Sequence, residues 1–336
     1  MSSVMMIIYA IIIFCLLIFV HEFGHLIAAK AAGIRVNEFA LGMGPLLFKF
    51  KKGETEYSLR ALPIGGFCAM EGEDEESSDP RAFNNKSTGA KALVIIAGSF
   101  MNLVLAIIIL SILFVAIGSP TTTIKDLAPD NPAIIAGMQS GDKIIEIEGE
   151  KIREWQDIPE TISNSKAETI TVVVDRDGKH LTFESDVTYT EDGRRVIGIA
   201  PAYTRNPGTA LINGTLSTFE MGVQMVKIIG DLITGEISTK ALTGPVGIVV
   251  MVGDTARMGL FYVAQLTALI SLNLAIMNML PLPALDGGRL LFLIIRRFTG
   301  KVISDETEGK IHFIGIMLLF GLMIYITFQD VGRFIL

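Results

Sequence analysis

The stretch VMMIIYAIIIFCLLIFVHEFGHLIAA, residues 4–29, decides the fold because it is apolar over the length of a membrane span and carries ionisable side chains near its end. A helix rises about 1.5 Å per residue, so roughly 20 apolar residues cross a hydrocarbon core of about 30 Å. No charged residue occurs before His21, and Glu22 and His25 follow within the same run. The stretch predicts a transmembrane helix that carries polar chemistry.

The composition of the whole chain also indicates a membrane protein. Half of its 336 residues are hydrophobic, 19% are charged, and the mean hydropathy is +0.52. These values exclude a disordered chain, a disulfide-stabilised scaffold and a nucleic-acid-binding protein with a basic face. We therefore expect a lipid bilayer, and no nucleic acid, among the partners of this chain.

Three further stretches are apolar enough to cross a bilayer. Residues 93–117 and 259–285 contain no Lys, Arg, Asp, Glu or His, and residues 313–328 form a fourth apolar run. A shorter run, residues 241–253, has Gly and Pro breaks, and we expect it to be interfacial or packed against the helices. The chain is thus predicted to be a polytopic α-helical membrane protein with four transmembrane helices.

The basic residues predict how these spans are oriented. No Lys or Arg precedes the first span, whereas several follow the first and third spans in short loops. Short cytoplasmic loops are enriched in Lys and Arg, so both termini and the polar block between the second and third spans are expected outside the cytoplasm. The first span lacks the basic start and cleavage site of a signal peptide, and we expect it to be retained.

Two polar regions are predicted to contain β-structure. Residues 119–202, called the insert below, are expected to form an extracytoplasmic α+β domain, since residues 142–148 and 168–175 alternate apolar and polar side chains before an Asp-Gly turn. Residues 38–71 contain two strand-like pieces, PLLFKF and EYSLRALPI, on either side of KKGE. They predict a membrane-associated β-hairpin on the cytoplasmic side, and residues 209–234 predict an amphipathic helix.

The predicted organisation has four parts. The first and second spans with the hairpin occupy residues 1–118, and the insert occupies residues 119–202. An amphipathic or interfacial connector covers residues 203–258. The third and fourth spans occupy residues 259–336.

His21, Glu22 and His25 form an HExxH motif. Residues i and i+4 share one face of a helix, so both imidazoles can reach one Zn²⁺ ion at about 2.0–2.1 Å, with Glu22 beside a metal-bound water. Ionisable groups inside a membrane are costly and usually functional. We interpret the motif as a zinc site; the structural alternative is a pair of buried histidines with Glu22 as their partner.

A catalytic zinc site needs a third protein ligand and an open position for water. His180 lies in the predicted outer domain and His312 starts the fourth span, whereas Asp286 directly follows the uncharged third span. Pro281 and Pro283 interrupt the helix just before Asp286, and the two glycines after it allow a turn. We predict Asp286 as the third ligand; His312 as ligand, and Asp286 as a simple helix cap, are the alternatives.

These motifs together resemble the site-2 protease family of intramembrane zinc metalloproteases, in particular the regulator of sigma-E protease group. The resemblance rests on HEFGH in the first span, GSFMN at 98–102, MNMLPLPALDGG at 277–288 and GMGP at 42–45. The insert contains PDNPAIIAGMQSGDKIIEIEGEKI and resembles a PDZ domain, with an unrelated small sandwich as the alternative. Many members of the group carry two tandem PDZ domains, and this chain has room for one.

The resemblance implies a zinc metalloendopeptidase that cleaves within transmembrane segments of single-span membrane proteins, usually after a first protease has removed an outer domain. It implies His21, His25 and Asp286 as zinc ligands and Glu22 as acid and base. It also implies a bacterial inner membrane, and the predicted orientation puts the active site toward the cytoplasmic side. Anti-sigma factors, remnant signal peptides and a peptide pheromone are all compatible substrates.

Further residues are candidates for binding the substrate. Cleavage needs an extended backbone because a helix hides its amides, so helix-weak segments are the expected substrates. The family pattern suggests that Asn278, Pro281 and Pro283 bind the unwound segment; interhelical hydrogen bonding is the alternative for Asn278. Asn102 is expected to bind substrate, to bond between helices or to stabilise charge near the metal. The hairpin offers an edge for strand addition.

The residues leave open the role of the insert and two alternative functions for the whole chain. The insert is expected either to bind a peptide C-terminus created by the first cut or to exclude large outer domains. A membrane adaptor with a structural zinc would require four protein ligands, whereas three are apparent. A cation transporter would require further polar groups along the spans, and the second and third spans have no charge.

Overall fold

The computed structural model describes residues 3–73, 75, 77–127, 131–190, 192–238, 242–300 and 305–334. The chain divides into two compact units. One unit, called the membrane unit below, consists of Met1–Leu110 together with Gly214–Leu336, and the other consists of Ser111–Asn213 and contains the insert.

The helices follow in chain order with one short 3₁₀ turn at Phe83–Asn85. Their bounds are α1 Ser3–Ala31, α2 Thr88–Ile117, α3 Pro132–Ile135, α4 Asp157–Asn164, α5 Pro207–Thr234, α6 Pro245–Met258, α7 Leu260–Asn278, α8 Asp286–Thr299 and α9 Asp305–Phe334. The strands are β1 Val36–Lys52, β2 Thr55–Met70, β3 Ser119–Leu127, β4 Lys143–Ile147, β5 Glu150–Lys151, β6 Thr169–Arg176, β7 Lys179–Asp186, β8 Thr188–Tyr189, β9 Arg195–Val196 and β10 Ile199–Thr204.

Four helices in the described part of the chain are long and apolar enough to cross a membrane. They are α1, α2, α7 and α9, which confirms the four predicted apolar helices. The third of these helices, α7, is shorter than the predicted apolar run of residues 259–285. It ends at Asn278, and residues 279–285 form a loop before α8. Pro281 and Pro283 lack backbone N–H donors and disfavour helix before them, so the helix stops ahead of this proline-containing stretch.

Helix α6 packs within the membrane unit. Its Val252 is fully buried against a cluster formed by Ala10, Ile13 and Leu17 of α1 and by residues of α7. The predicted packing of the short apolar run against the helices is therefore observed for its described residues, while Ala241 lies outside them. The predicted amphipathic helix is also present as α5.

The predicted hairpin is present, and it folds further than expected. Strands β1 and β2 pair antiparallel around the turn at Gly53. In addition, Glu38–Leu41 pairs on one side with residues 66–69 and on the other with residues 56–59. The result is four adjacent segments in the order 46–52, 55–60, 36–41 and 66–70. Glycines with positive φ stand where the long strands bend, at Gly42, Gly44 and Gly65, because glycine adopts such angles without steric cost.

The insert contains an α+β fold around one core. Its main sheet has the order β10-β3-β4-β6-β7, with β5 paired to β4. The predicted strands are β4, β6 and β7, and the turn between β6 and β7 has positive φ at Asp177 and Gly178, as a two-residue hairpin turn requires. Alternate residues of β6 point into the core, where Ile170, Val172 and Val174 are fully buried.

Candidate metal centre

Two ligand candidates lie on one face of α1. His21 and His25 are four residues apart, and their Nε2 atoms are 3.2 Å from each other. His25 is buried, with 8% of its surface exposed. Its Nδ1 is 2.8 Å from the carbonyl oxygen of Val94 on α2. An Nδ1–H donated to that carbonyl leaves the Nε2 lone pair directed at the cluster, which is the usual support for a metal-binding imidazole.

The third candidate reaches the same point from the far end of the sequence. Asp286 is the first residue of α8, and its Oδ2 lies 3.3 Å from His21 Nε2 and 3.5 Å from His25 Nε2. The ligand atoms of these three residues all lie within 4.8 Å of one another. The structure thus brings together the three residues that the sequence predicts as ligands.

The spacing of these atoms fits a zinc ion. A tetrahedral site with bonds of about 2.0–2.1 Å has ligand atoms roughly 3.3–3.4 Å apart. The three observed separations, from 3.2 to 3.5 Å, match this edge length. Two imidazoles and one carboxylate are also a donor set that zinc accepts, with a fourth position left for water or substrate.

Two glycines let α1 and α2 approach each other at this point. A Cβ on Gly98 of α2 would lie 2.7 Å from His21 Cε1 and 2.8 Å from His25 Cε1, and a Cβ on Gly24 would lie 2.8 Å from Met101 Cγ. Real Cβ contacts are not this short, so any side chain would displace the imidazoles or separate the helices. Residue types alone gave no signal for these contacts; only the resemblance singled out GSFMN.

Glu22 is half-buried on α1, next to the first histidine. The sheet segment 66–70 passes beside it: a Cβ on Gly66 would lie 3.2 Å from Glu22 Cγ and 3.0 Å from Ile18 Cγ2. This segment is an edge, since its outer side pairs with no strand among the described residues. PLLFKF, at 45–50, belongs to the opposite edge of the sheet.

Comparison with known proteins gives the family. The family model described as "Peptidase family M50" matches residues 9–322. The chain belongs to peptidase family M50. The site-2 protease resemblance found in the sequence is therefore confirmed.

The M50 relatives match over nearly their whole length. A protein of Clostridium acetobutylicum whose name places it among the zinc metalloproteases is 37% identical over 331 residues, covering 97% of both chains. Zinc metalloprotease RasP of Geobacillus kaustophilus is 32% identical, covering 97% of both chains. Regulator of sigma-W protease RasP of Bacillus subtilis is 32% identical, covering 97% of this chain and 98% of that one. Both RasP alignments span 414 positions, so these relatives contain residues without a counterpart here.

Among solved structures, PDZ domains match about a quarter of this M50 chain. The PDZ domain of an SdrC-like protein from Listeria innocua matches 26% of this chain and 96% of that domain, with 24% identity and a TM-score of 0.23.

The predicted substrate-binding residues lie on α2, on α7 and in the loop that follows α7. Asn278 is the last residue of α7, and Pro281 and Pro283 lie in the loop before Asp286. Asn102 is fully buried on α2, its backbone oxygen accepts a hydrogen bond of 2.8 Å from the hydroxyl of Ser271, and its side-chain amide has no hydrogen-bond partner within the described residues.

Neither alternative histidine joins the cluster. His312 Nδ1 lies 2.8 Å from the backbone nitrogen of Ala284, so this atom accepts a hydrogen bond from the chain. His180 is an exposed residue of β7 in the other unit. Of the histidines considered in this M50 chain, His21 and His25 are the two whose ligand atoms face Asp286.

Proposed function

We propose that this protein hydrolyses peptide bonds within transmembrane segments of other membrane proteins. Its membership of family M50 and its zinc-metalloprotease relatives make the chain a zinc metalloprotease. One observation supports the finer proposal. The ligand atom of Asp286 lies within 4.8 Å of those of His21 and His25, which belong to a helix of membrane-spanning length.

His21, His25 and Asp286 are the residues that would hold the zinc ion. When bound, zinc lowers the pKa of a coordinated water to about 7 and polarises the scissile carbonyl. Glu22 accepts the proton of the attacking water and delivers it to the leaving amine nitrogen. The backbone carbonyl of Val94 keeps His25 in the tautomer that presents Nε2.

The edge segment 66–70 is the proposed place where the substrate lies. A peptide bond can react only when its amide is released from helical hydrogen bonds, and strand addition supplies replacement partners. The closeness of Gly66 to Glu22, whose Cγ would lie 3.2 Å from a Cβ added at Gly66, supports this edge over PLLFKF, which lies at the opposite edge of the sheet. Phe67→Pro is expected to reduce cleavage more than Phe48→Pro, as measured with one model substrate. Equal losses would remove the preference for this edge.

Asn278, Pro281 and Pro283 are proposed to bind the unwound substrate beside the metal, and Asn102 to bind substrate or stabilise charge. Support comes from their positions: Asn278 ends α7, the two prolines lie in the loop before Asp286, and Asn102 lies one turn after Gly98 on α2. Alanine variants of the two asparagines that leave KM and kcat unchanged would assign them to interhelical packing instead.

The substrates and surroundings follow the same proposal. The four apolar helices and the bacterial relatives indicate a bacterial membrane. The proposed arrangement is the inner membrane, with extracytoplasmic termini and the active site toward the cytoplasm. Candidate substrates are an anti-sigma factor trimmed by a first protease, which the name of the Bacillus subtilis relative supports, and remnant signal peptides.

The PDZ-like insert is proposed to recognise a newly formed C-terminus or to reject large outer domains. Deleting residues 121–199 separates these roles. If the insert excludes by size, the deletion lets an untrimmed substrate be cut; if it binds a C-terminus, the deletion raises KM for the trimmed substrate only.

The deciding experiment compares the wild type with Glu22→Gln on a tagged single-span substrate in liposomes, with zinc measured on both proteins. We expect the variant to retain zinc and to lose cleavage by about 10²–10⁴-fold, the contribution of a positioned acid and base. Wild type that binds zinc but cuts none of several trimmed substrates would favour a membrane adaptor.

A further inference from the structure

The loop that delivers Asp286 has an unfavourable backbone conformation. Residues 279–285 connect α7 to α8, and Ala284, two residues before Asp286, has a φ of +78°. An L-residue with a side chain rarely adopts this left-handed angle. Such conformations persist where surrounding contacts hold them, and they concentrate at functional sites. The Leu285 N–H donates a hydrogen bond of 3.2 Å to the Leu282 carbonyl and closes this turn from within. Contacts from outside the loop stabilise it further.

Helix α9 supplies those contacts, although it contributes no residue to the ligand set of His21, His25 and Asp286. The ring of His312 accepts a hydrogen bond from the Ala284 N–H at its Nδ1, with a nitrogen–nitrogen distance of 2.8 Å. One turn later, Gly315 packs on Pro283: a Cβ there would lie 2.7 Å from the Pro283 carbonyl oxygen. Two successive turns of α9 thus contact Pro283 and Ala284.

The other nitrogen of the His312 ring faces a carboxylate of the same helix. Its Nε2 lies 3.8 Å from Glu308 Oε1, and Glu308 also pairs with Arg296 of α8. A proton on Nε2 faces this carboxylate, which leaves the Nδ1 lone pair free to accept from Ala284. These contacts connect α8, α9 and the loop of residues 279–285.

We propose that His312 is a positioning residue for Asp286. By accepting the Ala284 N–H it keeps the loop in its left-handed turn, and the turn sets the carboxylate at 3.3 and 3.5 Å from the two histidine nitrogens. The proposal rests on the proposed function, in which Asp286 binds zinc. Its specific claim is that an acceptor is needed at the Nδ1 position of residue 312.

Two amide substitutions isolate that claim. In His312→Asn the side-chain oxygen takes nearly the place of Nδ1 and can accept from Ala284. In His312→Gln the amide extends toward the place of Nε2, near Glu308, and the acceptor at Nδ1 is lost. A role that depended only on the Glu308 contact would be preserved in the glutamine variant and lost in the asparagine variant, which is the opposite order.

The test measures zinc retention of the full chain in detergent during dialysis against a chelator, with thermal unfolding recorded on the same samples. Partners of metal ligands typically contribute about 10–100-fold to metal affinity. We expect His312→Asn to remain within about threefold of wild type and His312→Gln to lose zinc at least about tenfold more readily. Equal retention by both variants, equal loss in both, or the reverse order would overturn the proposal.

Asp286→Asn separates this proposal from the proposed function. If Asp286→Asn retains zinc like wild type, the ligand set itself is wrong. If it loses zinc while His312→Gln retains it, only the positioning role is wrong.

A second pair of variants covers the case in which His312→Gln does not fold. Gly315→Ala pushes on Pro283 from the next turn of α9, whereas Gly321→Ala points into open space on the same helix. We expect zinc loss from the first and not from the second, and equal zinc retention in the two variants would overturn the proposal.

Discussion

Two aspartates, one in each unit, show how differently this chain uses a carboxylate away from water. Asp142 in the insert is 1% exposed and accepts hydrogen bonds of 2.6 and 2.8 Å from the Arg176 guanidinium and one of 2.8 Å from the Gln139 N–H. Asp286 has 20% of its side chain exposed, and its nearest basic atoms are two imidazole nitrogens at 3.3 and 3.5 Å.

The distances distinguish a closed ion pair from a ligand set. Charge-assisted hydrogen bonds between nitrogen and oxygen are usually about 2.7–2.9 Å long, and Asp142 is close to that range. The atoms around Asp286 are farther apart, at the spacing of a tetrahedral zinc site. Asp142 therefore stabilises its domain, whereas the spacing around Asp286 fits the proposed role of this residue as a zinc ligand.

The largest effect is expected when each of the two aspartates is replaced in turn by asparagine. Asp286→Asn should lower zinc affinity and cleavage by more than about 100-fold, beyond what supporting residues contribute. Asp142→Asn should leave the zinc content unchanged. Zinc analysis and cleavage of a trimmed substrate check both variants. Zinc loss in Asp142→Asn would show that the two aspartates do not differ in this way.

The close approach of α1 and α2 gives the next largest effect. Gly98→Ala places a Cβ against both imidazoles, and we expect zinc affinity to fall by about 10–100-fold, as for other disturbances of ligand orientation. Gly89→Ala is the matched control, since that position on α2 opens into free space. A chelator competition that finds the two variants alike would show that the helices adjust without moving the histidines.

On the insert side, Arg176→Gln tests the closed pair. Loss of the guanidinium leaves a buried charge with one backbone donor, and we expect the insert to lose about 2–3 kcal/mol. Trp155, the single tryptophan of the chain, packs on the insert core, so its fluorescence during urea unfolding of the full chain reports this domain. Arg194→Gln, at an exposed pair with Asp192, should cost under about 1 kcal/mol.

The pH dependence of the insert gives the smallest effect. Burial alone would raise the pKa of Asp142, but hydrogen bonds from Arg176 and the Gln139 N–H hold the pKa below its ordinary value. The resulting stability is complete above the ordinary pKa of about 4 and is lost as the pH falls through the lowered value. Urea unfolding by Trp155 fluorescence should show the wild type losing stability from about pH 5 downward and Asp142→Asn losing less. Parallel curves would contradict the assignment.

Much of this architecture can be predicted from the sequence because the signals are local. Apolar length identifies the four helices, alternation identifies β4 and β6, and the HExxH spacing places both imidazoles on one helical face. Asp286 can be proposed as a third ligand because the HExxH motif supplies two and this aspartate directly follows an uncharged run, although its local pattern alone is also that of a helix cap.

The remainder depends on contacts between distant segments. The further folding of β1 and β2 is set by bends at glycines, which mark possible turns without fixing which segments pair. The clearance at Gly98 and the hydrogen bond from Ala284 to His312 join elements far apart in the chain. The sequence offered His312 only as an alternative metal ligand, and no pattern pointed to its hydrogen bond with the Ala284 N–H.

The order in which the ribosome makes these parts determines when the proposed metal site can form. His21 and His25 enter the membrane early in synthesis, Asp286 is made only after the insert, and α9, which grips its loop, comes later still. A nascent chain that stops before α8 thus lacks one of the three proposed zinc ligands. The proposed metal site therefore cannot assemble from the first two spans alone, and the loop that carries its third ligand needs contacts from α9.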